Sequence, residues 1–230
     1  MSELVRDAAI VLRTTPYSET SLILTVFSGR HGRIGLMAKG ARRKIKNGSV
    51  LVIEPGYEME FVWAYKSSRD LQIVREMSLL NPHFGIRQSL EATVIASSAI
   101  ELLLRTQNDD DPHPELFLAA SRLLSACESP ATARWPVYWK FHLVLLSQLG
   151  FAVGRPEEFS KAPFKLSGES LALLRKLVSS DFEIAARLRA SATAEREVTR
   201  WLALYLSDHL HIPAQPRSLE ALRWVRRTVS

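Results

Sequence analysis

Residues 29–46 read GRHGRIGLMAKGARRKIK, and this stretch decides how the N-terminal part of the chain folds. Glycines flank the apolar residues Ile34, Leu36 and Met37, a pattern typical of a hairpin turn that leads into a strand. Basic residues follow the apolar ones without an intervening acid. The stretch therefore predicts a β-hairpin that ends in a basic loop, rather than a helix with one charged face.

Seven basic side chains crowd into these residues, and no Asp or Glu occurs between Glu19 and Glu54. Cations so close together repel one another unless a polyanion neutralises them. We therefore predict that they bind the phosphates of nucleic acid, with a solvated surface loop as the alternative. The predicted DNA-binding residues are Arg30, Arg33, Lys39, Arg42, Arg43, Lys44 and Lys46.

Aromatic rings recur in the same part of the chain, and bases that stack on such rings would add to phosphate binding. Between Tyr57 and Tyr65, large apolar residues fall at every second position, which is the pattern of a strand with one buried side. The same alternation would place most of these rings in a barrel core, so stacking and core packing both stay open. The candidate rings are Phe27, Tyr57, Phe61, Trp63 and Tyr65.

Short runs rich in β-forming residues, separated by turn residues, fill the chain between residues 7 and 80. The runs are residues 8–13, 22–27, 33–38, 50–53, 57–65 and 71–77. Five or six strands within about seventy residues suit a small closed barrel, of which the OB fold is the type most used for nucleic acid. An SH3-like barrel is the alternative.

The apolar spacing changes to three and four residues after Asn81-Pro82, which predicts helices. The predicted helices are residues 87–104, 116–127, 135–149, 171–178, 182–188, 194–210 and 219–229. The apolar stripe of 135–149 is wide enough for burial on more than one side, so we expect this helix at the centre of the second domain. The predicted fold class is α+β: an OB-fold domain over residues 1–80 and an all-helical domain over 81–230.

Composition restricts the function further. The net charge of +6 favours an acidic partner, and Cys127 is the single cysteine, which excludes an intramolecular disulfide and a multi-cysteine zinc site. Neither a nucleophile elbow nor a His-Glu-x-x-His motif occurs, so we expect no enzymatic activity and no cofactor. The sequence shows no signal-peptide pattern and no apolar run of about 18 residues, which predicts a cytoplasmic protein.

Four short motifs resemble those of one bacterial family. They are PYSETS at residues 16–21, HGR at 31–33, AKGARR at 38–43 and LVLLSQLGF at 143–151. In order and spacing they resemble the RecO family of recombination mediators. The resemblance implies an N-terminal OB fold, a helical C-terminal domain, binding of single- and double-stranded DNA, annealing of complementary strands, and help in loading RecA onto single-stranded DNA coated by single-strand-binding protein.

The resemblance also implies partners and a location. The partners are RecR, the acidic tail of single-strand-binding protein and, at the level of the pathway, RecA and RecF; the location is the cytoplasm, in association with the nucleoid. Many members of the family carry a four-cysteine zinc module after the central helix. Residues 151–165 contain no cysteine, so we expect no zinc in this chain.

Two basic residues of the predicted central helix, Arg134 and Lys140, lie close in sequence to three aromatic residues. We predict that these two cations bind the acidic tail of single-strand-binding protein beside an aromatic surface. The aromatic residues are Trp135, Trp139 and Phe141. Two other functions remain open from the residues: an RNA-binding barrel module of the translation or ribosome-assembly type, and a structural adaptor that acts through its helical domain.

Overall fold

The structure, a computed structural model, describes residues 3–42, 52–132, 134–154, 156–159, 164–211 and 216–221. Contacts divide the chain into two compact units. The barrel unit comprises Met1–His83 and Leu103–Phe117, and the helical unit comprises Phe84–Leu102 and Leu118–Ser230. The predicted domain boundary between residues 80 and 81 stays a prediction, to which the contacts add that residues 103–117 group with the barrel.

Five strands form a closed barrel in the order β1-β2-β3-β5-β4. They are β1 (Glu3–Pro16), β2 (Leu22–Ser28), β3 (Gly32–Ala38), β4 (Glu58–Tyr65) and β5 (Leu71–Asn81). Neighbouring strands are antiparallel, except that β3 and β5 are parallel, and the pairing of β1 with β4 closes the barrel. This is the five-stranded arrangement of an OB fold, so the predicted fold class is confirmed.

The predicted hairpin is confirmed, with β2 and β3 paired from Leu22 opposite Ala38 to Ser28 opposite Gly32. Residues 29–31 form the turn, and Gly32 adopts a φ of 67°, which glycine accepts without strain. Residues 103–117 pack against this turn, where a side chain at Gly32 would overlap the backbone of Asp111. The close approach therefore requires glycine at position 32.

The barrel core contains three of the aromatic rings considered for base stacking. Tyr57, Phe61 and Trp63 are at most 5% exposed, and Tyr65 is half-buried against the same core. Phe27 is also buried and packs on Phe117, with 6.3 Å between the ring centroids. Core packing is therefore confirmed for the four buried rings, and base stacking on them is wrong because no base can reach them.

One predicted strand, residues 50–53, is not found where the chain is described. Val50 and Leu51 lie outside the described residues, and Val52 and Ile53 are not in a strand. Ile53 is nevertheless buried in the barrel core, and its carbonyl accepts a hydrogen bond of 3.2 Å from the Thr14 hydroxyl. The apolar character of this run therefore reflects burial without strand pairing.

Helices follow the barrel strands, as the change of apolar spacing predicted. They are α1 (Leu90–Thr106), α2 (Pro114–Glu128), α3 (Arg134–Gln148), α4 (Pro156–Phe159), α5 (Gly168–Ser179), α6 (Phe182–Ala185) and α7 (Ala192–Leu210), with a 3-10 helix at Phe84–Gln88. Residues 217–221 are helical, and the remainder of the predicted helix 219–229 lies outside the described residues. Within the described ranges, no helix combines the length and apolar character needed to cross a membrane.

Helix α3 is the centre of the helical unit, as predicted. Trp139, Phe141 and Leu145 are fully buried, although they lie on different sides of the helix. The indole Nε1 of Trp139 donates a hydrogen bond of 3.0 Å to the Thr199 hydroxyl on α7. A buried polar group that has a partner costs little, so α3 can be enclosed on several sides.

Aromatic contacts hold the chain that follows α3 against α7. Phe159 on α4 packs on Trp201, with ring centroids 5.4 Å apart, and Phe151 packs on His209 at 5.2 Å. The guanidinium of Arg200 lies 4.5 Å from the ring centroid of Phe164. In the described parts of residues 151–165, aromatic and cation–π contacts thus stabilise the position of the chain beside α7.

We expect Gly32→Ala to destabilise the barrel by about 2 kcal/mol or more, because alanine resists a positive φ and its methyl group would meet the Asp111 backbone. Chemical denaturation followed by tryptophan fluorescence measures the loss. The matched control is Gly154→Ala, where the added methyl group meets no atom within 4 Å. Equal effects of the two substitutions would contradict the close approach at Gly32.

Candidate nucleic-acid interface

The outer side of β1, β2 and β3 lies between the loop of residues 17–21 and the loop of residues 66–70, and we call it the open face. Arg13, Thr25 and Gly35 stand opposite one another on its three neighbouring strands. The open face contains a polar pocket of about 380 Å³, lined by Arg13, Thr25, Arg33, Gly35, Asp70, Leu104 and Asp109. In OB folds, the corresponding strand face and these two loops bind oligonucleotides.

Lys39 and Arg42 lie at the edge of the open face next to the loop of residues 17–21. The Arg42 amide donates a hydrogen bond of 3.0 Å to the Thr20 carbonyl, and Nη1 of Arg42 donates to the Ser18 carbonyl at 3.3 Å. Both basic side chains are exposed, and no carboxylate of the described residues forms an ion pair with either. These two predicted DNA-binding residues are therefore together and available to phosphates.

Arg33 also belongs to the open face, but a carboxylate already neutralises it. Its Nε donates to Oδ1 of Asp109 at 2.7 Å, and its Nη1 donates to the Leu104 carbonyl at 3.1 Å. The expectation of unpaired cations is therefore wrong for Arg33. Asp109, the first residue of the acidic run 109–111, supplies the negative charge.

Arg30 is separated from the other described cations, because it lies in the turn before β3 whereas Lys39 follows the end of that strand. The strand between them places these two residues on the order of 20 Å apart. Arg30 Nη2 forms an ion pair of 2.7 Å with Asp7 and donates to the Arg6 carbonyl at 2.8 Å. The expectation of one unpaired cluster is therefore wrong for Arg30 as well.

Asp7 is tied into the turn by several hydrogen bonds. Burial raises the pKa of its carboxyl, but hydrogen bonds from Arg30, the Ser28 hydroxyl and the Ala8 amide outweigh that effect and lower the pKa below its usual value. Ser28 is fully buried, and its oxygen in turn accepts the backbone N–H groups of Arg30 and His31. This arrangement serves the shape of the turn.

The remaining predicted DNA-binding residues, Arg43, Lys44 and Lys46, lie outside the described residues. Their role in DNA binding stays a prediction.

Two of the three rings of the predicted aromatic surface on α3 are buried, whereas Trp135 is half-buried, and tail binding by Arg134 and Lys140 stays a prediction. Trp139 and Phe141 are fully buried, so the expectation that these two rings form part of that surface is wrong. Arg134 pairs with Glu91 at 3.5 Å, and Lys140 Nζ donates to the Leu177 carbonyl at 3.0 Å. Burial lowers the pKa of Lys140, which Asp181 partly offsets.

Sequence reasoning missed four exposed residues that border or line the open face. Arg13 and Tyr17 lie at its β1 side, and Tyr17 is 63% exposed. Lys66 and Arg69 lie in the loop of residues 66–70, whose carbonyls accept hydrogen bonds from the buried side chain of Gln72 at 3.1 and 2.8 Å. Because the four are scattered in sequence, only the strand order brings them to one face.

We expect Asp7→Asn to remove part of the acid sensitivity of the barrel. The lowered pKa means that the Asp7 carboxylate stabilises the fold fully above its unfolded value of about 3.9, and that this contribution is lost as the pH falls through the folded value. Urea unfolding at pH 7 and pH 3 measures it: the variant should lose less stability than the wild type between these two values. Parallel losses would contradict a stabilising Asp7 carboxylate.

Comparison with known proteins gives one consistent family. The family models "Recombination protein O N terminal" and "Recombination protein O C terminal" match residues 1–83 and 87–154, which together are well over half of the chain. The chain is 32% identical over 155 residues to the "DNA repair protein RecO" of Salinibacter ruber, an alignment that covers 66% of this chain and 59% of that relative.

Two further relatives bear the same name, "DNA repair protein RecO". That of Vibrio parahaemolyticus is 40% identical over 147 residues (62% of this chain, 56% of the relative), and that of Laribacter hongkongensis is 31% identical over 158 residues (68% and 63%). The chain thus spans about three-fifths of the length of the curated relatives it matches. The two family models and the shared name of these relatives agree with the closed OB barrel and the helices that follow it, and the chain belongs to the recombination protein O family.

Proposed function

We propose that this chain is a DNA-binding mediator of recombinational repair. It binds single- and double-stranded DNA, anneals complementary strands and assists RecA in loading onto single-stranded DNA coated by single-strand-binding protein. Family membership supports the repair role, since the curated relatives are named DNA repair proteins. The observation that carries DNA binding is the pair of exposed cations Lys39 and Arg42 at the edge of an OB barrel face, neither of which forms an ion pair with a described carboxylate.

The open face offers cations along its whole width. Lys39 and Arg42 border it at the loop of residues 17–21, Arg13 lies within it, and Lys66 and Arg69 border it at the other loop. Phosphates bound along this line would release their counterions, so binding is salt-sensitive and largely independent of base sequence. Neutralised phosphates on two strands repel each other less, which favours the first base pairs of a duplex. The proposed action is wholly non-covalent.

Partners follow from the family. We propose RecR and single-strand-binding protein as direct partners, and RecA and RecF as partners in the same pathway. Burial of Trp139 and Phe141 leaves Trp135 as the one half-buried ring of the three predicted beside Arg134 and Lys140, so the site for the acidic tail stays a prediction. An RNA-binding function is the second candidate, because the OB fold also binds RNA.

Reversing the charges of Lys39 and Arg42 should weaken DNA binding and reduce its salt dependence. For Lys39→Glu with Arg42→Glu we expect the slope of log K against log salt for single-stranded DNA to fall in magnitude by about 1.4, or 0.7 for each lost contact. Fluorescence anisotropy with a labelled oligonucleotide, titrated at several salt concentrations, measures the slope.

The matched control is Arg187→Glu with Arg189→Glu, which makes the same charge change at two exposed positions of the helical unit. Equal loss in the two double variants would show that overall charge, and not the open face, determines affinity. Unlabelled RNA as competitor distinguishes the second candidate: displacement of DNA by less RNA than unlabelled DNA would favour RNA as the ligand.

Tyr17 should provide a stacking platform for one base of single-stranded DNA, since its ring is exposed and Arg42 is bound to the adjacent Ser18. We expect Tyr17→Ala to cost about 1–3 kcal/mol in binding of single-stranded DNA, with little change for duplex DNA, whose bases are already stacked. Tyr17→Phe keeps the ring and should bind like the wild type. A loss shared equally by single-stranded and duplex DNA would instead assign Tyr17 to the shape of the loop.

A further inference from the structure

Residues 104–111, which we call the cover segment, lie along the start of β3 at one side of the open face. The Arg33 amide donates a hydrogen bond of 3.2 Å to the Asn108 carbonyl, and the Asp110 amide donates to the Arg33 carbonyl at 3.4 Å. Asp109 forms β-bridges with both Gly32 and Arg33. Backbone pairing therefore fixes the cover segment beside a strand that lines the proposed DNA-binding face.

The side chain of Asp109 uses this position to hold Arg33. The distance from Arg33 Nε to Asp109 Oδ1 is 2.7 Å, and the Leu104 carbonyl, also in the cover segment, accepts from Nη1 at 3.1 Å. A carboxylate oxygen and a phosphate oxygen make the same kind of charge-assisted hydrogen bond with a guanidinium. The cover segment thus supplies the contacts that a DNA phosphate would make with Arg33.

The location of the pair makes this contact competitive. Arg33 and Asp109 line the same pocket as Arg13, Thr25 and Gly35 in the open face. A phosphate that entered this pocket would meet the Asp109 carboxylate, with Asp110 and Asp111 next to it in the chain. Like charges repel, so the phosphate can bind Arg33 only if the ion pair between Arg33 and Asp109 breaks.

The pair is also weak enough to be displaced. The side chain of Asp109 is 71% exposed, whereas that of Arg33 is 29% exposed, so water solvates the carboxylate on most of its surface. An ion pair with one exposed partner shifts an equilibrium by no more than about fivefold. Contacts of a DNA backbone with the other cations of the open face would exceed that effect.

We propose that Asp109 is an internal competitor for DNA: it occupies Arg33 in the free protein and releases it when a phosphate binds in the pocket of the open face. This inference rests on the proposed DNA-binding function. Arg33 would then contact a phosphate only after its ion pair with Asp109 breaks, whereas Lys39 and Arg42 can contact phosphates without breaking an ion pair to a described carboxylate. It also predicts that the protein binds DNA less tightly than its cations would allow.

The test compares two substitutions that remove the same charge from neighbouring residues. Asp109→Asn should tighten binding of single-stranded DNA by up to about fivefold at low salt and steepen the salt slope by about 0.7, because Arg33 becomes a full phosphate contact. Asp110→Asn is the matched control: among the described residues, no hydrogen bond or ion pair joins the Asp110 side chain to Arg33, and asparagine accepts its φ of 56°. It should change affinity much less.

A double-mutant cycle isolates the pair. In an Arg33→Gln background, Asp109→Asn should no longer tighten binding. Equal tightening by Asp109→Asn and Asp110→Asn, or tightening that persists without Arg33, would overturn the competition in favour of a general charge effect. If Asp109→Asn changed nothing while Lys39→Glu with Arg42→Glu still weakened binding, this inference would be wrong and the proposed function would stand. Failure of the wild type to bind DNA would overturn both.

Discussion

Strand β3 is buried on one side only, and its register determines where Arg33 and Lys39 lie. Ile34, Leu36 and Ala38 are at most 6% exposed inside the barrel, so the residues between them must face outward. A register shift of one residue would bring Arg33 into the apolar core and turn Leu36 to solvent. Burial of an unpaired charge would strongly destabilise the barrel. The apolar alternation therefore places Arg33 on the open face and Lys39 beyond its end.

Charge in the sequence and charge in space differ in this protein. The stretch of residues 29–46 contains no acidic residue. Nevertheless, Arg30 pairs with Asp7, 23 residues away in sequence, and Arg33 pairs with Asp109, 76 residues away. A run of cations predicts a tendency to bind anions, but the anion can be the protein itself. Closure of the barrel brings Asp7 to the turn, and the return of residues 103–117 to the barrel unit brings Asp109.

Much of the fold could be predicted because its signals are local. Glycine at positions 29 and 32 and the alternation of Ile34 and Leu36 are sufficient for the hairpin, and the same rule predicts β4. The helices follow from a period of three to four residues. By contrast, the grouping of residues 103–117 with the barrel depends on contacts between distant parts of the chain, which a local sequence pattern cannot predict.

The candidate site was predicted in part, for a similar reason. Lys39 and Arg42 were identified because they lie in one basic run, whereas Arg13 and Lys66 reach the open face only through strand order. On α3, apolar residues on several sides predict a central helix, and the same pattern is inconsistent with an exposed surface at Trp139 and Phe141. An aromatic residue can bind a partner only where its side of the helix is exposed to solvent. Trp139 and Phe141 lie on buried sides of α3.

The proposed strand annealing would require contacts that are numerous and individually weak, because a protein that anneals strands must release the duplex that forms. Exposed lysine and arginine side chains on a barrel face suit this requirement, since each contributes modestly and is screened by salt. In the proposed competition, the pairing of Arg33 with Asp109 would reduce the attraction further in the free protein. A buried, fully desolvated phosphate site would bind more tightly but would retain the product, so an open and partly neutralised face suits the proposed annealing better.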